Sequence, residues 1–94
     1  MKQNMVITVK FFGSLERLAK RKTIEINIVN KVELKDILKK LIELINEKEF
    51  KNLLESPGSC VIFIDGIEIS ALNGLKTLVK NGSEVTIVPV IHGG

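Results

Sequence analysis

The chain has 94 residues, of which 45% are hydrophobic and 27% charged, with a formal net charge of +3. That composition suits one soluble globular domain and excludes a disordered chain. The charge surplus is mild and spread along the sequence, short of the footprint of a nucleic-acid binder. Tyr and Trp are absent, so the core must rest on Ile, Leu and Val.

No apolar run approaches the ~18 residues of a membrane span, and the polar start "MKQN" is no signal peptide. One cysteine, Cys60, has no internal disulfide partner, which gives no sign of an oxidising compartment. A cytoplasmic protein with no nucleic-acid or membrane partner is the expectation. The basic cluster Lys20, Arg21 and Lys22 lacks a neighbouring aromatic to stack a base and reads as a solvated turn.

The first strong pattern is "MVITVKFF", Met5 to Phe12. Met5, Ile7, Val9 and Phe11 share one side, and Thr8, Lys10 and Phe12 the other, the period of a strand. In "GSLERLAKRK" Ser14 is placed to cap a single helical turn carrying Leu15 and Leu18. "TIEINIV", Thr23 to Val29, alternates again and predicts a strand pairing with the first. The period then changes. Leu34, Ile37, Leu38, Leu41, Leu44 and Ile45 recur at three and four residues, one broad stripe of an amphipathic helix. Asn30 with Glu33 fits a capping box at its start. Leu53 and Leu54 suggest a second helical piece, stopped by Pro57 and Gly58. Cys60 to Ile64 is an apolar strand, Asp65-Gly66 a tight turn, and Ile67 to Ile69 a short return strand. Asn81-Gly82 turns the chain into the last strand, Glu84 to Val90.

The order is strand, strand, helix, strand, short strand, strand. One main helix can cover one face of a mixed four- or five-stranded sheet, with the apolar runs at Val61 to Ile64 and Val85 to Val88 as inner strands. This is an α+β, β-grasp arrangement, as in ubiquitin-like proteins. The expected organisation is a single domain over residues 1–94, in which 91–94 form a flexible Gly-Gly tail.

Enzymatic parts are missing. His92 is the sole histidine, so no zinc site and no Ser-His or Cys-His dyad can be assembled around it. Cys60, opening a buried strand, reads as a small apolar filler. Glu43, Glu47, Glu49 and Glu55 sit among lysines as a solvated helix face. Neither Asn73 to Lys76 nor Asn81 to Ser83 has the spacing of a phosphate loop.

The end of the chain remains. Two closing glycines arise by chance in roughly one chain in two hundred at ordinary glycine usage, and here they follow directly on a strand. Residues 90–94, "VIHGG", reach about 13–18 Å when extended. Without Cβ atoms, Gly93 and Gly94 can thread a narrow channel. What they deliver is the α-carboxylate of Gly94, ionised at neutral pH and nucleophilic towards the α-phosphorus of ATP.

"VKFFGSLERLA", "NKVELKDILKKL", "IDG" and the closing "LVKNGSEVTIVPVIHGG" together resemble the MoaD/ThiS family of ubiquitin-like sulfur carriers. The chain is more similar to the molybdopterin synthase small subunit than to the shorter thiamine carrier. "ALNGLK" lengthens the loop before the last strand, and the "HGG" ending is also similar to the eukaryotic ubiquitin-related modifier of tRNA thiolation. The resemblance implies a non-enzymatic carrier that binds no cofactor itself. An E1-like adenylyltransferase of the MoeB/ThiF type, using ATP, would adenylate Gly94, and a sulfur donor would convert it to a thiocarboxylate. A MoaE-type molybdopterin synthase large subunit would then take the sulfur. Gly93 serves threading, and Phe12, Val88, Val90, Ile91 and His92 are the expected partner contacts, on the sheet face away from the helix. Two alternatives stand beside this: a related carrier for tRNA thiolation or thiamine that doubles as a protein modifier, and a β-grasp interaction domain without tail chemistry.

Overall fold

A computed structural model of the chain describes residues 4–90. The elements run β1 (Asn4–Phe11), α1 (Gly13–Ala19), β2 (Thr23–Val29), β3 (Val32–Glu33), α2 (Leu34–Ile45), α3 (Lys48–Glu55), β4 (Cys60–Ile64), β5 (Ile67–Glu68), β6 (Leu78–Val79) and β7 (Glu84–Pro89). Two 3-10 turns, Ile69–Ala71 and Gly74–Lys76, fill the segment before β6.

Five strands form one mixed sheet in the order β2-β1-β7-β4-β5. β1 and β7 run parallel at its centre, while β1–β2, β4–β7 and β4–β5 are antiparallel. This is the β-grasp arrangement expected. Alternation places Ile7, Val9, Phe11, Val85 and Ile87 on the helix-covered face, all essentially inaccessible. α2 lays Leu34, Ile37, Leu38 and Leu41 against them. α3 adds Phe50, fully buried, whose ring meets Phe11 edge-on with centroids 5.5 Å apart; such T-shaped pairs suit the quadrupoles of both rings.

Loop chemistry completes the sheet. β1 begins before β7 does, so the backbone of Val6 would lack partners on that side. Asn81 Oδ1 accepts the Val6 N–H at 2.9 Å, and the Gly82 N–H donates to the Val6 carbonyl at 2.9 Å. At the hairpin, Asp65 and Gly66 both have positive φ, 49° and 82°, as a two-residue hairpin turn of the primed type needs. Asp65 also accepts the Glu84 N–H through its side chain (2.9 Å) and so ties the turn to the start of β7.

Several local expectations change. α1 is nearly two turns rather than one, with Phe12 at the N-cap position and Ser14 inside the helix. The capping box does not sit at Asn30, which takes a left-handed turn with φ 69°. The chain first spends Val32 and Glu33 in a two-stranded pairing with β6. Capping therefore moves to Glu33, whose N–H donates to the Asp36 carboxylate at 3.2 Å, while the Leu34 N–H is taken by the Thr77 carbonyl. Leu44, counted in the buried stripe, is 51% exposed; the last turn of α2 packs through Ile45 instead. The return strand stops at Glu68, because Glu68 caps the 3-10 turn that follows.

Candidate functional site

The site is assembled around the end of β7, the central strand. The Ile87 carbonyl accepts from the Phe12 N–H (3.3 Å), and the Val90 N–H donates to the Ser59 carbonyl (2.8 Å). Backbone direction alternates along a strand, so residues 85, 87 and 89 address β1 while 86, 88 and 90 address β4. Pro89, which has no N–H, therefore faces the β1 side just where β1 has ended, and no ladder bond is lost. Gly13 makes room there. Its φ is +55°, and a Cβ at that position would lie 3.1 Å from Pro89 Cγ. At the end of β7 the chain is held on one side by Ser59, just before β4, through Val90, while Pro89 lies beside Gly13 at the β1–α1 corner on the other.

The face away from the helices carries the second half of the site. Phe12 is 45% exposed and Val90 37%. Val88 stands opposite Val61, and Thr86 opposite Phe63, in the β4–β7 register. Phe12, Val61, Phe63, Val88 and Val90 share this face by alternation and make an apolar patch around the strand end, a surface of the kind that marks a partner site. The Lys10–Glu84 ion pair, 3.8 Å, lies on the same face towards the far end of β7. Phe12, Val88 and Val90, read from the sequence, come together here as expected. Val61 and Phe63 were absent from that reading because "CVIFI" is apolar throughout; the alternate positions on β4 were the available signal. Ile91, His92, Gly93 and Gly94 lie outside the described residues.

Cys60 is half-buried, its thiol donating to the Leu53 carbonyl at 3.5 Å, and burial pushes its pKa up. A protonated, half-covered thiol is a poor nucleophile. Among the described residues no three His, Cys, Asp or Glu side chains gather where a metal ion could sit, and no helix is long and apolar enough to cross a membrane.

The sequence profile of the ThiS family matches residues 9–94. A protein of Archaeoglobus fulgidus, provisionally named a sulfur carrier protein, is 34% identical over 58 residues. That alignment covers 57% of this chain and 66% of the relative, slightly under two thirds of its length. Among solved structures, small archaeal modifier protein 1 of Methanosarcina acetivorans is similar with a TM-score of 0.76 and 26% identity, over 98% of this chain and 99% of that one. A Pyrococcus furiosus protein, provisionally named molybdopterin converting factor subunit 1, shares the fold with a TM-score of 0.77 at 18% identity, over 93% and 99% of the two chains. The profile match runs from Val9 within β1 through α1, β4 and β7, over most of the chain, and on that ground the chain belongs to the ThiS family of ubiquitin-like sulfur carriers.

Proposed function

We propose that this protein carries sulfur on the α-carboxylate of Gly94 and hands it to a pterin precursor as the small subunit of a molybdopterin synthase. The observation that carries this reading is the delivery geometry. A central strand, hydrogen-bonded to Phe12 through Ile87 on one edge and to Ser59 through Val90 on the other, ends beside an apolar patch formed by Phe12, Val61, Phe63, Val88 and Val90. The folded body supplies docking and the partners supply catalysis.

An E1-like adenylyltransferase binds the ATP. A Gly94 carboxylate oxygen attacks the α-phosphorus and pyrophosphate leaves, giving a mixed anhydride whose carbonyl is electrophilic. A persulfide from a sulfur donor attacks that carbonyl and AMP departs. A thiol then cleaves the resulting acyl disulfide, reducing the acyl sulfur to a thiocarboxylate while the thiol is oxidised into a new disulfide. Gly93 and Gly94, without Cβ atoms, suit entry into a narrow channel, and Ile91 and His92 join them in sequence to Val90 as further partner contacts.

One observation favours a second acceptor. The likeness to a small archaeal modifier protein, 26% identical over 98% of this chain, supports a carrier that doubles as a protein modifier joined to lysines. The activated Gly94 is common to these readings.

Incubated with an E1-like partner, ATP and a sulfur source, the intact chain should gain the mass difference of sulfur for oxygen on Gly94, and a chain lacking Gly94 should not. Unchanged thiolation of the shortened chain would refute the carrier mechanism. Reconstitution with a molybdopterin synthase large subunit separates the acceptors: sulfur transfer to the pterin supports the first reading, and isopeptide-linked targets support the second.

A further inference from the structure

The chain contains two Asn-Gly pairs, Asn73–Gly74 and Asn81–Gly82, and both asparagines are exposed. Asparagine is chemically labile where the next peptide nitrogen can reach its side-chain carbonyl carbon, and a following glycine leaves that approach open because it has no Cβ. The fold treats the two pairs differently. At Asn81 both reacting groups are occupied: Oδ1 accepts the Val6 N–H at 2.9 Å, and the Gly82 N–H donates to the Val6 carbonyl at 2.9 Å. Ser83, the next residue, is buried, and its carbonyl accepts the Thr8 N–H at 3.1 Å. This pair is clamped to β1, an inner strand of the sheet. At Asn73, among the described residues, nothing holds the side-chain amide and nothing accepts the Gly74 N–H. A Cβ built on Gly74 would meet no atom within 4 Å. The restraints there are local: Thr77 Oγ1 accepts the Asn73 N–H at 3.0 Å and donates to the Gly74 carbonyl at 2.7 Å. Leu72, Leu75 and Lys76 around the pair are exposed, and a segment with so few buried contacts opens readily.

We infer that Asn73 is a site of spontaneous deamidation in the folded protein, and that the clamp on Val6 guards Asn81 against the same reaction. The Gly74 nitrogen gives its proton to solvent and bonds to Cγ of Asn73. The side-chain nitrogen takes a proton from solvent and leaves as ammonia, which closes a succinimide ring. Water then adds to one of the two ring carbonyls and opens the ring. Cleavage on the side-chain side gives aspartate, and cleavage on the main-chain side gives isoaspartate. Either product carries a carboxylate that is ionised at neutral pH, so the formal net charge of +3 falls by one. Isoaspartate also lengthens the main chain by one atom at this position. The loop it alters is the one that caps α2, because the Thr77 carbonyl accepts the Leu34 N–H at 2.8 Å. At Asn81 the same attack must wait until the Gly82 N–H and the Asn81 side chain have both let go of Val6, which means parting the turn from the sheet.

Peptide mapping of the full chain, aged at mildly alkaline pH both folded and in guanidinium chloride, tests this. Each site is compared with itself, which removes any difference in intrinsic rate between the two pairs. Folding should slow deamidation of Asn81 about tenfold or more, since two hydrogen bonds must open first. Asn73 should stay within about threefold of its unfolded rate. Acidic variants of the folded chain should accumulate on ion exchange and be largely abolished by Asn73→Ser. The aged protein should also accept a methyl group from S-adenosylmethionine, in the presence of an isoaspartyl methyltransferase, at residue 73. Equal protection of the two sites by folding, faster conversion of Asn81 than of Asn73 in the folded chain, or acidic variants that persist undiminished in Asn73→Ser would each overturn the inference.

Discussion

Phe50 shows how one side chain can hold two layers together. It is fully buried, meets Phe11 edge-on, and is the residue by which α3 enters the core. Phe50→Ala should lower the unfolding free energy by about 3–5 kcal/mol, a large part of a small domain's stability, read out by chemical denaturation. A different residue-scale effect sits at Glu68, whose carboxylate accepts hydrogen bonds from the Ser70 hydroxyl and the Ser70 N–H. The hydroxyl contributes most to holding the Glu68 pKa below its usual value. With the folded pKa depressed, the linked stabilisation is present above the ordinary carboxylate range and is lost as pH falls through the lowered value. Ser70→Ala should therefore move the Glu68 titration upward, towards an unperturbed carboxylate, in a carboxyl-detected NMR titration. The remaining N–H contact keeps the return incomplete.

The corner where β1 turns into α1 is governed by Gly13. Its left-handed backbone and its 3.1 Å clearance to Pro89 leave no room for a side chain without shifting the end of β7. Gly13→Ala should destabilise by about 1–2 kcal/mol and, because Pro89 must move, should also slow thiolation of Gly94 in the partner assay. At this scale much was legible beforehand. Alternation in "MVITVKFF" and "TIEINIV" announced β1 and β2 and their faces, and "DG" announced the hairpin. What escaped was decided by tertiary pairing. The Val32–Glu33 bridge to β6 moves the start of α2 beyond Asn30, and the second helical piece expected around Leu53 and Leu54 begins already at Lys48, where Phe50 reaches Phe11, a contact no local pattern reveals. Pro89 in a central strand looks forbidden in sequence terms and becomes harmless once β1 is seen to stop short of it.

Taken as a whole, the molecule divides its labour between two faces of one sheet. The helix-covered face is committed to the core, while the opposite face keeps Phe12, Val88 and Val90 accessible beside the strand end. Phe12→Asp should leave the melting temperature nearly unchanged, as exposed substitutions usually do. If the patch docks the activating enzyme, the same change should cut the kcat/KM of adenylation about tenfold or more, followed by pyrophosphate release. A loss of stability equal to the loss of activation would assign Phe12 to folding instead. The exposed-face positions Phe12, Val88 and Val90 were readable because period-2 alternation names both faces at once. Val61 and Phe63 were not, since a uniformly apolar strand gives no contrast between its sides.

β1 and β7 lie side by side in the middle of the sheet, with Thr8 registered against Glu84, so two strands separated by every other element of the fold must find each other. Closing so large a loop is slow and cannot begin while β7 is still inside the ribosome. Until β7 docks, β1 and β4 lack their shared neighbour and Val90 lacks its anchor at Ser59. An activating enzyme that recognises the assembled strand end would thereby refuse nascent or misfolded chains, and loading would report that folding is complete.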